Sequence, residues 1–200
     1  MNKYKTMTAT ALLFVLSLSV SGSNAATLQL TPKTEVSQEV TASSYKVEEL
    51  LAKGESLANK TVTVEGICNH LCPHGGTKLF LRATDGKQII RVEAGNKIGS
   101  FSKESIRKQV SITGKLVEQR IDEAFLENWE KQLKQPVSGK EVCNSTGCAT
   151  EGKARGENVA SPAAQRIAIF RKKIADRKAK EGKNYLSFYY IEANSYKVNN

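Results

Sequence analysis

The stretch KLFLRATDGKQIIRVEAG, Lys78–Gly95, has the pattern of a β-hairpin and decides the fold. Two short runs rich in apolar and β-branched residues, 79–82 and 89–93, flank the dipeptide Asp85-Gly86. An Asp-Gly pair suits a tight reversing turn because glycine adopts positive φ at little cost. We therefore predict two antiparallel strands joined by a short turn.

Alternating segments lie on both sides of this hairpin. In TVTVEGIC, 61–68, Val62 and Val64 alternate with polar residues, and Gly66 is a candidate bulge or bend. The segment VSITGKLV, 110–117, alternates in the same way, and SKESIRKQ before it can form one or two helical turns. The order strand, hairpin, short helix, strand is typical of a five-stranded Greek-key OB barrel.

The fifth strand of such a barrel is predicted late in the chain. YLSFYYIEANSYKV, Tyr185–Val198, is rich in aromatic and β-branched residues and is the candidate closing strand. Residues 122–184 then form an insertion with one helix ending at Pro136 and a second helix over 162–180. The predicted fold class is α+β, an all-β OB-like barrel with two helices inserted before the last strand. The alternative is a barrel that closes early and carries a separate helical appendage.

From VTVEGIC through VSITGKLV, roughly Leu57–Gln119, the chain resembles small secreted bacterial OB-fold proteins of unassigned function. The resemblance is one of pattern and covers less than half of the chain. It implies a fold and a binding face, and it carries no catalytic residues across.

The N-terminal residues predict export. MNKYK is followed by the apolar run ATALLFVLSLSV and by SGSNAA, which suits cleavage after Ala25. We predict a signal peptide over 1–25, a flexible leader over 26–43 and barrel strands over 44–121, in a periplasmic or secreted protein. The apolar run is too short to span a bilayer comfortably. In an oxidising compartment, four cysteines favour disulfides.

The stretch CNHLCPHGG places Cys68, His70, Cys72 and His74 on every second residue. Thiolate and imidazole are ligands that Zn²⁺ prefers and copper(I) accepts, so these four residues form a candidate metal site. In an extended strand, residues two apart are about 6.6–6.8 Å distant, which is too far for one ion. The segment must therefore curl, and Pro73 with Gly75-Gly76 makes a turn plausible.

The remaining cysteines, Cys143 and Cys148, close a short loop in the insertion and are predicted to form a structural disulfide. In the predicted topology this loop and the Cys68–Gly76 connection flank the face on which OB barrels bind ligands, and all four cysteines lie near one rim. Three alternatives stay open. Cys68 and Cys72 can form a local disulfide, they can act as a thiol–disulfide exchange pair, or a bridge can join the two loops.

The chain contains no G-x-S-x-G elbow, P-loop or H-E-x-x-H motif, so we predict a binding protein more readily than an enzyme, with no catalytic residues. The formal net charge is +10, and much of the surplus lies in the helix 162–183. A solvated basic face is the simplest account of that helix. The alternative is contact with anionic lipid or an acidic protein, and export disfavours nucleic acid. The alternatives are an exchange enzyme, or an OB module that binds an oligosaccharide, oligonucleotide or protein.

Overall fold

The computed structural model describes residues 43–73, 75–134 and 149–199. The predicted signal peptide, the leader up to residue 42, His74, Cys143 and Cys148 lie outside the described residues. The strands are β1 Ser44–Lys46, β2 Thr61–Leu71, β3 Lys78–Arg82, β4 Ile89–Ala94, β5 Gln109–Ile121 and β6 Leu186–Asn199. The helices are α1 Val47–Ala52, α2 Gly54–Leu57, α3 Glu123–Leu133, α4 Ala149–Ala154 and α5 Ala163–Glu181, with one turn of 3₁₀ helix at Lys103–Ser105.

Five strands close into a barrel in the order β2-β3-β4-β6-β5, and β5 pairs back onto β2. The β4–β6 pair is parallel, and the other four pairs of the barrel are antiparallel. This connectivity is that of an OB barrel, so the predicted α+β class is confirmed. β6 closes the barrel where the sequence predicts a strand. The short β1, which pairs in parallel with β2, is an extra strand that the sequence pattern did not reveal.

The alternating residues of the strands fill the barrel. Val62 and Val64 of β2 are almost fully buried, as are Ile112 and Leu116 of β5. The turn between β3 and β4 forms as predicted: Gly86 has φ 74°, and a side-chain oxygen of Asp85 accepts a hydrogen bond from the Lys87 N–H at 2.8 Å. Burial of one face of each strand fixes the register, because a shift of one residue would expose the whole set.

The insertion has a small core of its own. Leu126 and Trp129 of α3 pack with Ile167 and Phe170 of α5, and Ile121 at the end of β5 joins this cluster to the barrel. The apolar face of α5, which includes Ile174, is therefore buried both against α3 and against Leu186 and Phe188 at the start of β6. The insertion contains a third helix, α4, that was not predicted. No helix within 43–73, 75–134 and 149–199 is long and apolar enough to cross a bilayer.

Candidate functional site

A β-bulge in β2 decides where the Cys/His residues lie. Cys68 pairs with Leu81, but the register shifts before the next pair, so that His70 lies opposite Phe80. Asn69 is the extra residue on β2 and is exposed. A bulge sends the following side chains to the other face of the sheet. Cys68 therefore points into the barrel, whereas the ring of His70 lies outside it, 5.7 Å from the ring of Phe80.

Cys68 belongs to the hydrophobic core. Its exposed fraction is zero, and its neighbours in the barrel cluster are apolar. Burial raises the pKa of the Cys68 thiol to about 11, and the thiol's weak contact with the His70 carbonyl, 3.8 Å away, offsets this only in part. A thiol in this environment is a poor nucleophile and a poor metal ligand at neutral pH, because both roles need the thiolate.

Cys72 lies just beyond the end of β2, where the chain turns. Its N–H donates to the Lys78 carbonyl at 2.8 Å, and its own carbonyl accepts from the Gly76 N–H at 3.2 Å. Gly75 and Gly76 have φ of 76° and 64°, which is the turn chemistry the sequence predicts for a curled segment. Cys72 is 3% exposed and lines a cavity of about 410 Å³ between this turn and the loop before β5.

The four predicted ligands are thus not all on one side of the strand. His70 lies on the outer side and Cys68 on the inner side, and Cys72 lies in the turn beyond the strand. In the part of the chain that the structure describes, which excludes His74, no three His, Cys, Asp or Glu side chains are grouped to hold a metal ion. Cys68 and Cys72 form no disulfide with each other. The four-ligand site stays a prediction, as does the Cys143–Cys148 disulfide.

The two connections expected at one rim leave the barrel at opposite ends. The turn after β2 lies beside the end of β4, since the Ala94 N–H donates to the Thr77 carbonyl at 2.8 Å. The insertion starts after Ile121, which pairs with Leu186 at the beginning of β6, beside the start of β4. The insertion nevertheless returns along the sheet, because Glu151 of α4 lies 3.7 Å from the ammonium of Lys78, at the start of β3.

A buried ionic cluster fastens α4 to the outer face of β3, β4 and β6. Glu151 is 1% exposed and accepts hydrogen bonds from Arg91 of β4 and from Arg155, which is 4% exposed. Arg91 also donates to Gln119 at 3.1 Å and stacks on the ring of Tyr190, 4.3 Å away. In OB barrels this face usually binds the ligand. Here the chain's own insertion covers it.

This ionic cluster was not predicted from the sequence. The spacing of Glu151 and Arg155, four residues apart in TEGKARGE, is a usable signal for a helical ion pair. Nothing in the sequence points to Arg91, 60 residues earlier, as the third member. Neighbouring tyrosines of the closing strand β6 face opposite sides of the sheet. Tyr189 packs against the barrel core, and the ring of Tyr190 stacks with the guanidinium of Arg91 on the outer face.

Several basic side chains of the helix 162–183 already have intramolecular partners. Arg166 pairs with Glu157 at 2.6 Å, and Arg171 donates to Glu123 and Glu130 of α3. Those two carboxylates raise the pKa of Arg171. These arginines therefore hold the insertion together, and the lysines of the helix carry most of the charge that is free to act on a partner.

Comparisons with known proteins add little. No family model matches the chain, and no curated protein matches it. Among solved structures, a match is a chain provisionally assigned as an aspartyl-tRNA synthetase from Leishmania major Friedlin. It is 13% identical, with a TM-score of 0.27, over 54% of this chain and 19% of the other. This chain thus spans about a fifth of the length of that protein, and so weak a likeness supports no functional conclusion.

Proposed function

We propose that the protein is an exported OB-fold binding protein, not an enzyme, that holds a soft transition metal at the outer end of β2. The ligands proposed are His70, Cys72 and His74. The observation that carries the proposal is the bulge at Asn69, which places His70 on the outer side of the barrel, where β2 ends in the glycine turn that contains Cys72. Without the bulge, Cys68 and His70 would share a face.

The donor set fits zinc or copper(I). One thiolate and two imidazoles satisfy three positions of a tetrahedral site, and water or a fourth side chain can complete it. Copper(I) accepts the same donors. Cys68 is left out of this set, because ionising its thiol inside an apolar barrel is unfavourable and its side chain lies on the other face of β2. The same burial argues against the alternative of thiol–disulfide exchange between Cys68 and Cys72.

The test is a competition titration of zinc between the purified full chain, kept reduced, and a chromophoric chelator. Cys72→Ala and His70→Ala should each weaken zinc binding by about 10–100-fold or more, since even outer-sphere partners of a metal contribute that much. Cys68→Ala is the matched control, because it removes a neighbouring thiol that the proposal excludes. Its affinity should equal that of the unmodified chain. Equal losses in Cys68→Ala and Cys72→Ala, or no zinc binding at all, would overturn the site.

Export is tested separately from metal binding. The proposal expects the mature protein, isolated from a bacterial host, to begin at Ala26 and to be found outside the cytoplasm. An intact mass that retains residues 1–25 in the cytoplasmic fraction would contradict it.

A further inference from the structure

A second cavity lies between the barrel and the insertion, near the start of β6. Its volume is about 670 Å³, within the range of roughly 300–1,000 Å³ that is typical of small-molecule sites. Its walls come from α1 and α2, the turn between β3 and β4, the end of α4, one side of α5 and the first residues of β6. It is separate from the turn after β2, which lies at the other end of the barrel.

The cavity has a surplus of positive charge. Five cationic side chains and two carboxylates line it, a net charge of +3. Both carboxylates are already paired: Glu55 with Lys183 at 2.6 Å, and Glu181 with Arg177 at 3.0 Å. Three lysines, one each from the β3–β4 turn, α4 and α5, have no ion pair with any carboxylate in the described residues; they are Lys87, Lys153 and Lys173. An anion entering the cavity therefore meets three ammonium groups that no carboxylate of the described residues neutralises.

The wall beside these lysines is apolar and fixed in place. Leu51, Leu186 and Phe188 supply apolar surface. The ring of Tyr189 lies so close to the backbone of Gly54 that a Cβ there would be 2.3 Å from it, so the two segments are in direct contact. Arg177 donates to the Tyr185 carbonyl at 2.9 Å and to the Ser187 hydroxyl at 3.2 Å, which holds its guanidinium at the cavity wall.

We propose that this cavity binds a compact organic phosphate with at least two negative charges, of about the size of a nucleoside diphosphate. The phosphates lie among Lys87, Lys153 and Lys173, and the body of the ligand contacts the apolar wall at Phe188. Attraction between charges would bind any polyanion in this cavity, but the apolar wall favours a ligand that also has a carbon skeleton. The same phosphate chemistry occurs on lipid headgroups, so a membrane surface is a separate source that the experiment distinguishes.

The experiment is isothermal titration of the full chain with ADP, without divalent cations and at low salt, because the attraction is screened by ions. The variant Lys87→Ala, Lys153→Ala, Lys173→Ala removes three exposed charges and leaves the core untouched. It should bind ADP about tenfold more weakly, from roughly a factor of two or three for each exposed ion pair. The matched control is Lys172→Ala, Lys178→Ala, Lys180→Ala, which removes the same charge from exposed positions of α5 outside the cavity. It should bind ADP as the unmodified chain does.

Two further titrations decide the ligand class. Tripolyphosphate should bind more weakly than ADP, because it has no body to contact Phe188. Retention on vesicles of phosphatidylglycerol should be the same for the unmodified chain and for the variant that lacks the three cavity lysines. The proposal is overturned by equal losses in the two triple variants, by no ADP binding, by tripolyphosphate binding as tightly as ADP, or by retention on anionic vesicles that depends on the three cavity lysines.

Discussion

Replacing Glu151 by Ala tests how the insertion is held on the barrel. The change leaves the guanidinium groups of Arg91 and Arg155, which are 8% and 4% exposed, without a shared carboxylate. Breaking a buried ion pair by removing one partner costs about 3–5 kcal/mol when the other charge is left alone. Here Arg91 retains Glu93 at 3.3 Å and Arg155 retains Glu157 at 2.6 Å. We therefore expect a smaller loss in the free energy of unfolding, about 2–3 kcal/mol.

Urea unfolding followed by the fluorescence of Trp129 measures this loss. Trp129 is the sole tryptophan, is 2% exposed, and has the guanidinium of Arg155 5.9 Å from its ring. Glu127→Ala, an exposed position on the same helix as Trp129, is the control and should change the free energy by less than about 0.5 kcal/mol. A loss for Glu151→Ala no larger than that of Glu127→Ala would refute the reasoning.

A double variant separates charge from packing. When Arg91 and Glu151 are both replaced by Met, the two charges leave together and the volume is roughly kept. Replacing a buried ion pair by apolar residues is often neutral or stabilising. The double variant should therefore be more stable than Glu151→Ala. If it is less stable, the cost comes from lost contacts of α4 and not from unpaired charge.

Three smaller predictions concern other parts of the fold. Burial raises the pKa of the Cys68 thiol from 9.0 to about 11, so the stability that comes from burying the neutral thiol is complete below pH 9 and is lost between pH 9 and 11. Thermal unfolding should show the free energy of unfolding falling by about 2–3 kcal/mol over that window. The fall should be absent in Cys68→Ala. Gly114→Ala should lower the free energy of unfolding by about 2–3 kcal/mol in urea, since its Cβ would lie 2.3 Å from the Glu192 carbonyl oxygen; an effect below 1 kcal/mol would mean that β6 yields easily. Arg171→Ala should cost less than about 1 kcal/mol in the same assay, despite two carboxylate partners, because its side chain is 38% exposed; a larger loss would assign it a buried role.

The barrel could be predicted because its strands carry a period of two. Val62 and Val64, or Ile112 and Leu116, alternate with polar residues, and the Asp85-Gly86 turn fixes the hairpin. The closing strand could be predicted despite its distance along the chain, since a barrel with four strands leaves two edges unpaired and the aromatic, β-branched segment near the C-terminus is suited to cover them. The barrel was thus predictable from the local alternation of apolar residues, the turn dipeptide, and the rule that an open sheet needs a further strand to pair its two edges.

The faces on which Cys68 and His70 lie could not be predicted from the same period of two, because one inserted residue reverses the alternation. The alternation of Cys68 and His70 indicates a shared face only if the strand is regular, and the bulge at Asn69 breaks that condition. Gly66 was the candidate bulge, but it keeps its pairing with Val110. The reason for a glycine there is the close approach of α1, since a Cβ at position 66 would lie 2.9 Å from Val47.

The covered sheet face directs the search for ligands to the ends of the barrel. A ligand that used β3 and β4 in the usual OB manner would have to displace Glu151 from Arg91 and leave buried charges unpaired, at a cost of several kcal/mol before any contact is made. Sites that need no such displacement are favoured, and two cavities meet this condition: the one lined by Cys72 at the turn after β2, and the lysine-lined one beside α5. Because the two lie at opposite ends of the barrel and use different chemistry, their affinities should be independent. ADP should bind equally well to Cys72→Ala and the unmodified chain, and zinc should bind equally well when the three cavity lysines are replaced.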